Sequence, residues 1–365
     1  MADVIFIVGA GCSVHAGAPV MSTFLDRARE LLAAKEVDDR RQQFETAFEV
    51  VSYLQRVHSK ARLDHNNIES VFSAVDLART LRKLPGIPAD KIDAALSSLV
   101  WLIVRTLEQS IKFDTRGGAF QGTSEYQKLA DLVAELRDRE PALTTAILTF
   151  NYDIAIDLSF AVKGLNFTYG LKDGEQGVPL LKLHGSLNWG RTKGEKRTIA
   201  PYDLRHYAQT YRLQHWFKGD DNPQLPSPIT KHAVEQLKQQ GNDVEDEPVL
   251  VPPTWSKGEY HREIANVWSR AARELERARY IFVLGYSLPE TDQFFRLLFA
   301  LGTEGQSILS KIAVFDPKPE PVESRFREML GHAALERFEV FAQQFGEGLS
   351  TIESMLFATA KRRRR

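Results

Sequence analysis

Short apolar runs that end in Gly, Asn or Asp recur along the chain. Most are four or five residues long and rich in Val, Ile, Leu and Phe, which is typical of strands covered on both faces, as in a parallel sheet. Helical patterns, such as Arg262–Arg279 and Thr291–Leu301, lie between many of them. The alternation predicts an α/β fold with a Rossmann-like, doubly wound and mainly parallel sheet. The predicted strands are Val4–Val8, Ala146–Phe150, Leu180–Leu183, Val249–Val251, Tyr280–Leu284, Ile312–Phe315 and Phe338–Phe341.

Residues 36–140 interrupt this alternation of strands and helices. The stretch has almost no strand signal and contains successive amphipathic helical patterns, punctuated at Pro85–Pro88 and at Gly117-Gly118. We predict an all-helical module here, inserted between the first strand–helix unit and the strand that ends at Phe150. Its predicted helices are Asp39–His58, Ile68–Leu84, Ala89–Lys112 and Ser124–Arg139.

The chain is therefore expected to divide into three parts. Residues 1–35 and 141–360 form the predicted Rossmann-like domain, residues 36–140 form the helical insertion, and residues 361–365 form a basic tail. The tail either contacts an acidic partner or a nucleic acid, or is a solvated chain end.

Composition and charge narrow the class of protein. The 365 residues include 47 Lys and Arg and 48 Asp and Glu, and without the tail 42 basic residues face the 48 acidic ones. This mildly acidic body is a poor electrostatic match for nucleic acid, so direct nucleic-acid binding is not expected. No window approaches roughly 18 consecutive apolar residues, which argues against a membrane span.

The cysteine count and the first residues bear on compartment and metal content. Cys12 is the only cysteine, which excludes a disulfide within the chain and a four-cysteine zinc ribbon. The histidines show no metal-ligand spacing, so no metal site is expected. The acid at Asp3 and the lack of a basic start argue against a signal peptide, and we expect a cytoplasmic protein.

The first candidate site is the turn after the first strand, Gly9-Ala10-Gly11-Cys-Ser13. A strand, a glycine turn and a helix form a phosphate cradle, in which backbone N–H groups and the helix dipole face the anion. Gly9 and Gly11 permit close approach of the backbone, and Ser13 adds a hydroxyl. Val14 takes the place of the third glycine of the dinucleotide fingerprint G-x-G-x-x-G, which disfavours an ordinary nicotinamide dehydrogenase. The alternative is a tight turn without a ligand.

Two further clusters stand at the ends of predicted strands. Asn151 and Asp153 follow the strand that ends at Phe150, at the edge where open α/β sheets bind ligands, and an Asn there can hold a ribose hydroxyl or a water. The alternative makes both residues caps of the following helix. His184 falls where the strand Leu180–Leu183 gives way to glycine, and histidine is a natural general base near neutral pH. The alternative is a hydrogen-bonded core residue.

The last two clusters follow the predicted strands Tyr280–Leu284 and Ile312–Phe315. Gly285 and Ser287 form a second glycine turn with a hydroxyl, which suits a phosphate or a ribose. Asp316 ends the next strand, where a carboxylate can accept both hydroxyls of an adenosine ribose. The alternative for Asp316 is a turn-starting Asp before a proline.

Taken in order, these clusters resemble the motifs of the sirtuin superfamily. The family carries G-A-G-x-S-x-x-[SA]-G-x-P, T-x-N-x-D, L-H-G-S and G-x-S-L. The corresponding segments here are Gly9–Pro19, Thr149–Asp153, Leu183–Ser186 and Gly285–Leu288. The resemblance covers the α/β part of the chain and leaves the helical insertion unmatched. It implies an NAD site in which the Asn and the His stand at the nicotinamide ribose.

Two departures separate the chain from the deacetylating sirtuins. Those enzymes continue the first motif with Asp-Phe-Arg, where this chain has Val20, Met21 and Ser22, and they carry a four-cysteine zinc ribbon that one cysteine cannot form. The chain is more similar to the bacterial sirtuin-like NADases of antiphage defence, which deplete NAD when infection is sensed. That resemblance implies a homo-oligomer and a separate sensor, in some systems with a HerA-type ATPase as the partner.

The reaction implied by the resemblance is hydrolysis of the nicotinamide–ribose bond of NAD, which is the substrate. His184 is the expected base and Asn151 the residue that orients a ribose hydroxyl or a water. The other expected NAD contacts are Gly9, Ala10, Gly11, Ser13, Asp153, Gly285, Ser287 and Asp316. Three alternatives stay open: ADP-ribosyl transfer from the same site, sensing of NAD or ADP-ribose without catalysis, and DNA binding led by the tail.

Overall fold

A computed structural model describes residues 1–55, 63–116, 119–194, 197–205, 228, 232–251, 262–290, 292–303 and 307–363. Its strands are β1 (Val4–Val8), β2 (Asp114–Arg116), β3 (Ala119–Gly122), β4 (Thr145–Thr149), β5 (Phe167–Thr168), β6 (Val178–Lys182), β7 (Gly185–Thr192), β8 (Ile199–Pro201), β9 (Val244–Leu250), β10 (Tyr280–Leu284), β11 (Lys311–Phe315) and β12 (Phe338–Phe341). Its α-helices are α1 (Phe24–Ala33), α2 (Arg41–Gln55), α3 (Ile68–Leu81), α4 (Ile92–Ser110), α5 (Ser124–Arg139), α6 (Ala155–Lys163), α7 (Ala233–Gln239), α8 (Ala265–Glu276), α9 (Gln293–Gly302), α10 (Pro319–Met329), α11 (His332–Leu335) and α12 (Phe345–Arg363). Within these ranges, no helix has the length and apolar character that a membrane crossing requires.

Seven parallel strands form the main sheet, in the spatial order β12-β11-β10-β1-β4-β6-β5. The whole of β1 is buried at the centre, as expected for a parallel sheet with helices on both faces. Val8 at its end pairs with Leu284 of β10 on one side and with Thr149 of β4 on the other. The predicted α/β class and its doubly wound, mainly parallel sheet are confirmed.

The strand order reverses between β1 and β10. On one side of β1 the chain adds β4, then the edge strand β5, and then β6 between these two. It then crosses to the other side of β1 and adds β10, β11 and β12 in order outward. The crevice at the carboxyl ends of two such strands is where open α/β sheets bind ligands. The loops that carry the expected site residues follow β1, β4, β6, β10 and β11, so they all lie along this edge.

One predicted strand does not belong to the main sheet. Val249–Val251 overlaps the end of β9, which pairs antiparallel with β7 in a separate three-stranded sheet of order β8-β7-β9. The first half of β9 is acidic, with Glu245 and Glu247 half-buried and Asp246 exposed. Such a strand cannot lie inside a parallel sheet that is covered on both faces, but it suits an antiparallel sheet with one solvated face.

The inserted region contains the predicted helices, as α2 to α5, but it is not entirely helical. β2 and β3 pair as an antiparallel hairpin, in contrast to the all-helical module that the sequence predicts. The two strands flank Gly117-Gly118, a dipeptide that favours hairpin turns. α5 then packs against α6 and α12 before the chain enters β4. The domain boundaries stay a prediction.

Candidate active site

Two glycine turns meet at the point where the strand order reverses. The N–H of Gly9 donates to the carbonyl of Leu284 at 3.0 Å, and that of Gly11 donates to the carbonyl of Gly285 at 2.9 Å. A Cβ on Gly9 or Gly11 would lie 2.5 or 2.9 Å from the Gly285 oxygen. Gly285 has φ +56°, and a Cβ there would lie 2.5 Å from the amide nitrogen of Cys12. The three glycines therefore allow the backbones after β1 and β10 to touch.

This contact changes which atoms of the first turn can face a phosphate. The N–H groups of Gly9 and Gly11 are already bonded to protein carbonyls. Ala10 begins the 3₁₀ turn Ala10–Ala16, a position at which the N–H has no partner within the turn. Ala10 is half-buried and Gly11 is exposed, so the turn reaches the surface at this edge. The N–H of Ala10 is thus the better-placed donor for an anion.

Ser13 is buried and holds other side chains. Its hydroxyl donates to Oδ2 of Asp153 at 2.8 Å, so the Tyr126 hydroxyl, 2.8 Å away, must donate to Ser13. The Asn151 Nδ2 lies 3.2 Å from the same Ser13 oxygen. Burial and the nearby Asp153 charge hold the pKa of Tyr126 well above its usual value, so its hydroxyl keeps its proton. Tyr126 comes from α5, which places this helix at the site.

The side-chain amide of Asn151 is oriented by its surroundings. Its Nδ2 donates to the carbonyl oxygen of Gly9 at 3.0 Å as well as to Ser13. A backbone carbonyl only accepts, so this contact fixes which end of the amide is nitrogen. The other end, Oδ1, is buried and has no hydrogen-bond partner among the described residues. Asn151 therefore has one unused acceptor, Oδ1, on a side chain whose amide nitrogen is hydrogen-bonded to the protein.

Asp153 plays the capping role that was open for both residues. Its Oδ1 accepts the N–H of Ala155, the first residue of α6, at 2.9 Å, and its Oδ2 accepts from Ser13. Burial raises the pKa of the Asp153 carboxyl, and the nearby Lys182 ammonium opposes that rise. Asp153 thus anchors the loop that carries Asn151.

His184 follows β6 and is buried in an aromatic setting. Its ring lies edge-on to Phe150 with the centroids 5.1 Å apart, and its Nε2 is 3.6 Å from Oδ1 of Asp292. The other oxygen of Asp292 accepts the Tyr286 hydroxyl at 3.0 Å, and the Tyr286 ring stacks on Phe150 at 4.1 Å. The backbone is held too, because the His184 carbonyl accepts the N–H of Val251 at 2.8 Å. The imidazole therefore faces a buried carboxylate.

A cavity lies between these strand ends and the helices. The strand side contributes both polar and aromatic groups, and the helix side is apolar. Its walls include Ala10, Ser13, Phe150, Asn151, Tyr152 and Asp153 from the loops, and Phe24, Ile68, Ile103 and Leu107 from α1, α3 and α4. The inserted helices thus close one side of the candidate site.

The remaining expected contacts lie further along the same edge. Ser287 is exposed, and its carbonyl accepts from the guanidinium of Arg325 at 2.8 Å. Asp316 is half-buried, and its Oδ1 accepts the N–H of Lys318 at 2.7 Å. Asp316 therefore starts the turn before Pro317, as its alternative role predicts. Its other oxygen, Oδ2, takes no part in the bond to Lys318. Neither side chain contacts Asn151.

Several residues of this site have little or no signal in the sequence. Tyr126 and Asp157, which is the buried ion-pair partner of Lys182, sit in ordinary helical patterns, and Asp292 looks like a residue at a helix start. Lys182 does have a signal, because it is a charge inside the apolar run Leu180–Leu183, and such a charge needs a buried partner.

No protein-family model and no curated protein matches the sequence of this chain. Among solved structures, a Sir2 homologue variant in complex with 2′-O-acetyl ADP ribose has 15% identity and a TM-score of 0.37, over 98% of this chain and 92% of that one. Another Sir2 homologue variant, with ADP ribose, has 12% identity and a TM-score of 0.37, over 98% and 93% of the two chains. Sir2Tm bound to a propionylated peptide has 12% identity and a TM-score of 0.34, over 96% and 92%. Similarities this low do not assign a function to this chain.

Proposed function

We propose that the protein is an NAD⁺ hydrolase, which cleaves the nicotinamide–ribose bond to give nicotinamide and ADP-ribose. The observation that carries this proposal is the free Oδ1 of Asn151, buried beside a cavity at the carboxyl ends of β1 and β4. An acceptor held in this way suits a ribose hydroxyl. The order of the motifs along the sequence, which resembles the sirtuin superfamily, supports the same substrate.

The cavity suits the leaving group of this reaction. When the C1′–N bond breaks, its electron pair neutralises the pyridinium ring, so the departing nicotinamide carries no charge. Apolar walls such as Ile103 and Leu107 favour a neutral ring over a cationic one. No general acid is needed, because the leaving nitrogen takes no proton.

The other half of the reaction is the attack of water on C1′. By analogy with glycoside cleavage, the ribose passes through a state with oxocarbenium character. His184 takes the proton from the water or from a ribose hydroxyl, while Asn151 accepts from the hydroxyl that it orients. Asp292, 3.6 Å from the imidazole, stabilises the protonated form of His184. Ala10 faces the phosphates, with Ser287 and Asp316 toward the adenosine half.

The cellular role is proposed from the resemblance. An NAD-depleting enzyme of this type acts as an abortive-infection effector in antiphage defence. We propose that it works as a homo-oligomer with a separate protein as sensor, for which a HerA-type ATPase is one candidate. We propose that the basic residues 361–365 contribute to binding such a partner.

The proposal is tested by incubating the full-length protein with NAD and quantifying nicotinamide and ADP-ribose by chromatography. We expect equimolar products, and we expect His184→Ala to abolish most of the release. His332→Ala is the matched control, because His332 is exposed on α11, which leads into the start of β12 and so lies at the edge of the sheet opposite the candidate site. NAD binding without nicotinamide release would instead support a sensor, and label transfer to macromolecules would support an ADP-ribosyltransferase.

A further inference from the structure

A buried ion pair lies directly beneath the loop that carries Asn151. The Lys182 Nζ is 3.0 Å from Oδ2 of Asp157, and each of the two side chains is only 1% exposed. Lys182 projects from β6 and Asp157 from α6, so the pair joins the sheet to the first helix after the loop. The ammonium also donates to the main-chain carbonyl of Asp153.

The polar groups of this pair are satisfied on all sides. Oδ1 of Asp157 accepts the Tyr169 hydroxyl at 2.7 Å, and that hydroxyl accepts from the Asn188 amide at 2.9 Å. Burying two charges is costly, and an apolar pair of similar volume is often as stable or more so. Stability of the core therefore does not explain why a charged pair lies at this place. The bond to the Asp153 carbonyl does explain the lysine, because that carbonyl needs a hydrogen-bond donor.

We propose that Lys182 and Asp157 are positioning residues for the active site. Lys182 fixes the main chain at Asp153, and the Asp153 carboxylate in turn holds Ser13, which accepts from the Asn151 amide. This sequence of bonds keeps Oδ1 of Asn151 in place for a ribose hydroxyl. The catalytic part of this inference rests on the proposed hydrolase function, but the structural part does not.

A double substitution separates the effect of the pair on stability from its effect on the position of the Asn151 loop. Lys182→Met alone strands a buried carboxylate, and we expect a large fall in melting temperature. Adding Asp157→Asn removes that charge and keeps an acceptor for the Tyr169 hydroxyl, so most of the lost stability returns. If the ion pair only stabilised the core, turnover would recover together with the melting temperature. We expect instead that kcat of the double variant stays at least tenfold low while KM for NAD changes less than threefold.

A second ion pair, on a helix of the same α/β fold, provides the control. Arg270 and Glu274 pair at 2.5 Å on α8, and Glu274 is 1% exposed and lies beside Met1, at the opposite edge of the sheet. The variant Arg270→Met with Glu274→Gln removes both charges there. We expect it to alter the melting temperature without lowering kcat.

Hydrogen exchange gives a readout that does not need turnover. The N–H of Asn151 donates to the Thr149 hydroxyl, and the N–H of Ala155 donates to Asp153. In Lys182→Met with Asp157→Asn, peptides covering 150–156 should exchange at least tenfold faster, while peptides of β1 stay unchanged. Normal exchange together with normal kcat overturns the positioning role. If the wild-type protein releases no nicotinamide, the hydrolase proposal fails, and the exchange result alone decides whether Lys182 positions the loop.

Discussion

Asn151 and His184 follow different strands, β4 and β6, and in the proposed reaction they face different parts of the substrate. Asn151 presents one acceptor because Gly9 and Ser13 take up its amide hydrogens, while His184 faces the Asp292 carboxylate. Neither belongs to the Ala10–Ala16 turn. The proposed hydrolase therefore uses separate residues for chemistry and for phosphate binding.

Substitutions at these two residues should stop chemistry and spare binding. His184→Ala removes a positioned base, an effect of about 10²–10⁴ in rate, and Asn151→Ala should cost a comparable factor. Because both act on one transition state, the double variant should be scarcely slower than the slower single one. Calorimetry should find NAD affinity within roughly tenfold, about 1.4 kcal/mol, for each variant. Near-normal turnover of His184→Ala would make His184 a core residue.

Ser13 should act by positioning the Asn151 side chain, whose amide donates to the Ser13 hydroxyl. Its hydroxyl is engaged with Asp153 and Tyr126 and accepts from the Asn151 amide, so Ser13→Ala loosens that amide and leaves it held by the Gly9 carbonyl. We expect kcat to fall by about tenfold to a hundredfold, in the lower part of the range for a misplaced catalytic group. NAD affinity measured by calorimetry should change little. The opposite pattern, weak binding with normal kcat, would show that Ser13 contacts phosphate.

At the scale of elements, the site is assembled from the ends of strands and closed by inserted helices. α5 supplies the Tyr126 hydroxyl, and α3 and α4 supply apolar walls of the cavity. The β10 turn supports the β1 turn through Gly285. A substitution that changes the packing of the turn after β1 should therefore also displace the turn after β10.

Gly11→Val tests this contact between the two turns. A valine Cβ would lie 2.9 Å from the Gly285 oxygen, so the side chain is forced against backbone rather than into open phosphate space. We expect a loss of about 1–3 kcal/mol in the free energy of unfolding, as is usual for overpacking. Gly331→Val is the matched control, since a Cβ there has nothing within 4 Å. Equal stability of the two variants, with only NAD binding lost at Gly11, would contradict this account.

At the scale of the whole molecule, a buried charge network connects the inserted region to the later part of the chain. Glu108 of α4 lies 2.7 Å from Nδ1 of His232 and 2.7 Å from the Arg105 guanidinium, which also reaches Asp39. Burial alone would raise the pKa of Glu108, but His232 and Arg105 outweigh it and hold the pKa below its usual 4.5. The folded protein therefore favours the ionised carboxylate.

This network predicts a pH-dependent stability. Since the folded pKa of Glu108 is lowered, its contribution is complete above pH 4.5 and is lost as the pH falls through the folded value. Glu108→Gln should cost about 3–5 kcal/mol at pH 7, as expected for breaking a buried pair, and the difference from wild type should shrink in acid. Thermal unfolding from pH 7 to pH 3 measures this. A difference that stays constant would contradict it, and Glu320→Gln, at an exposed residue, should change little.

The sequence by itself predicted every strand of the main sheet except the short β5, and the edge at which the candidate site lies. The apolar runs of β1, β4 and β10 encode strands buried on both faces, and the glycine, Asn and His that follow them fall at one edge because parallel strands end together. The acidic start of β9 carried enough information to exclude it from that sheet. The pairing of β2 with β3 could likewise have been predicted, because a dipeptide that favours hairpin turns, Gly117-Gly118, stands between them in the sequence.

Only the tertiary structure decided how the polar groups of the site pair. Ser13 meets Asp153 and Tyr126 more than a hundred positions away, and Gly11 donates to Gly285, so groups that look available along the sequence are already bonded. Lys182 is visible as a charge in an apolar strand, but its partner Asp157 is set by how α6 packs on the sheet. Local periodicity records which face of an element is buried, whereas a hydrogen-bond partner depends on which distant segment that face meets.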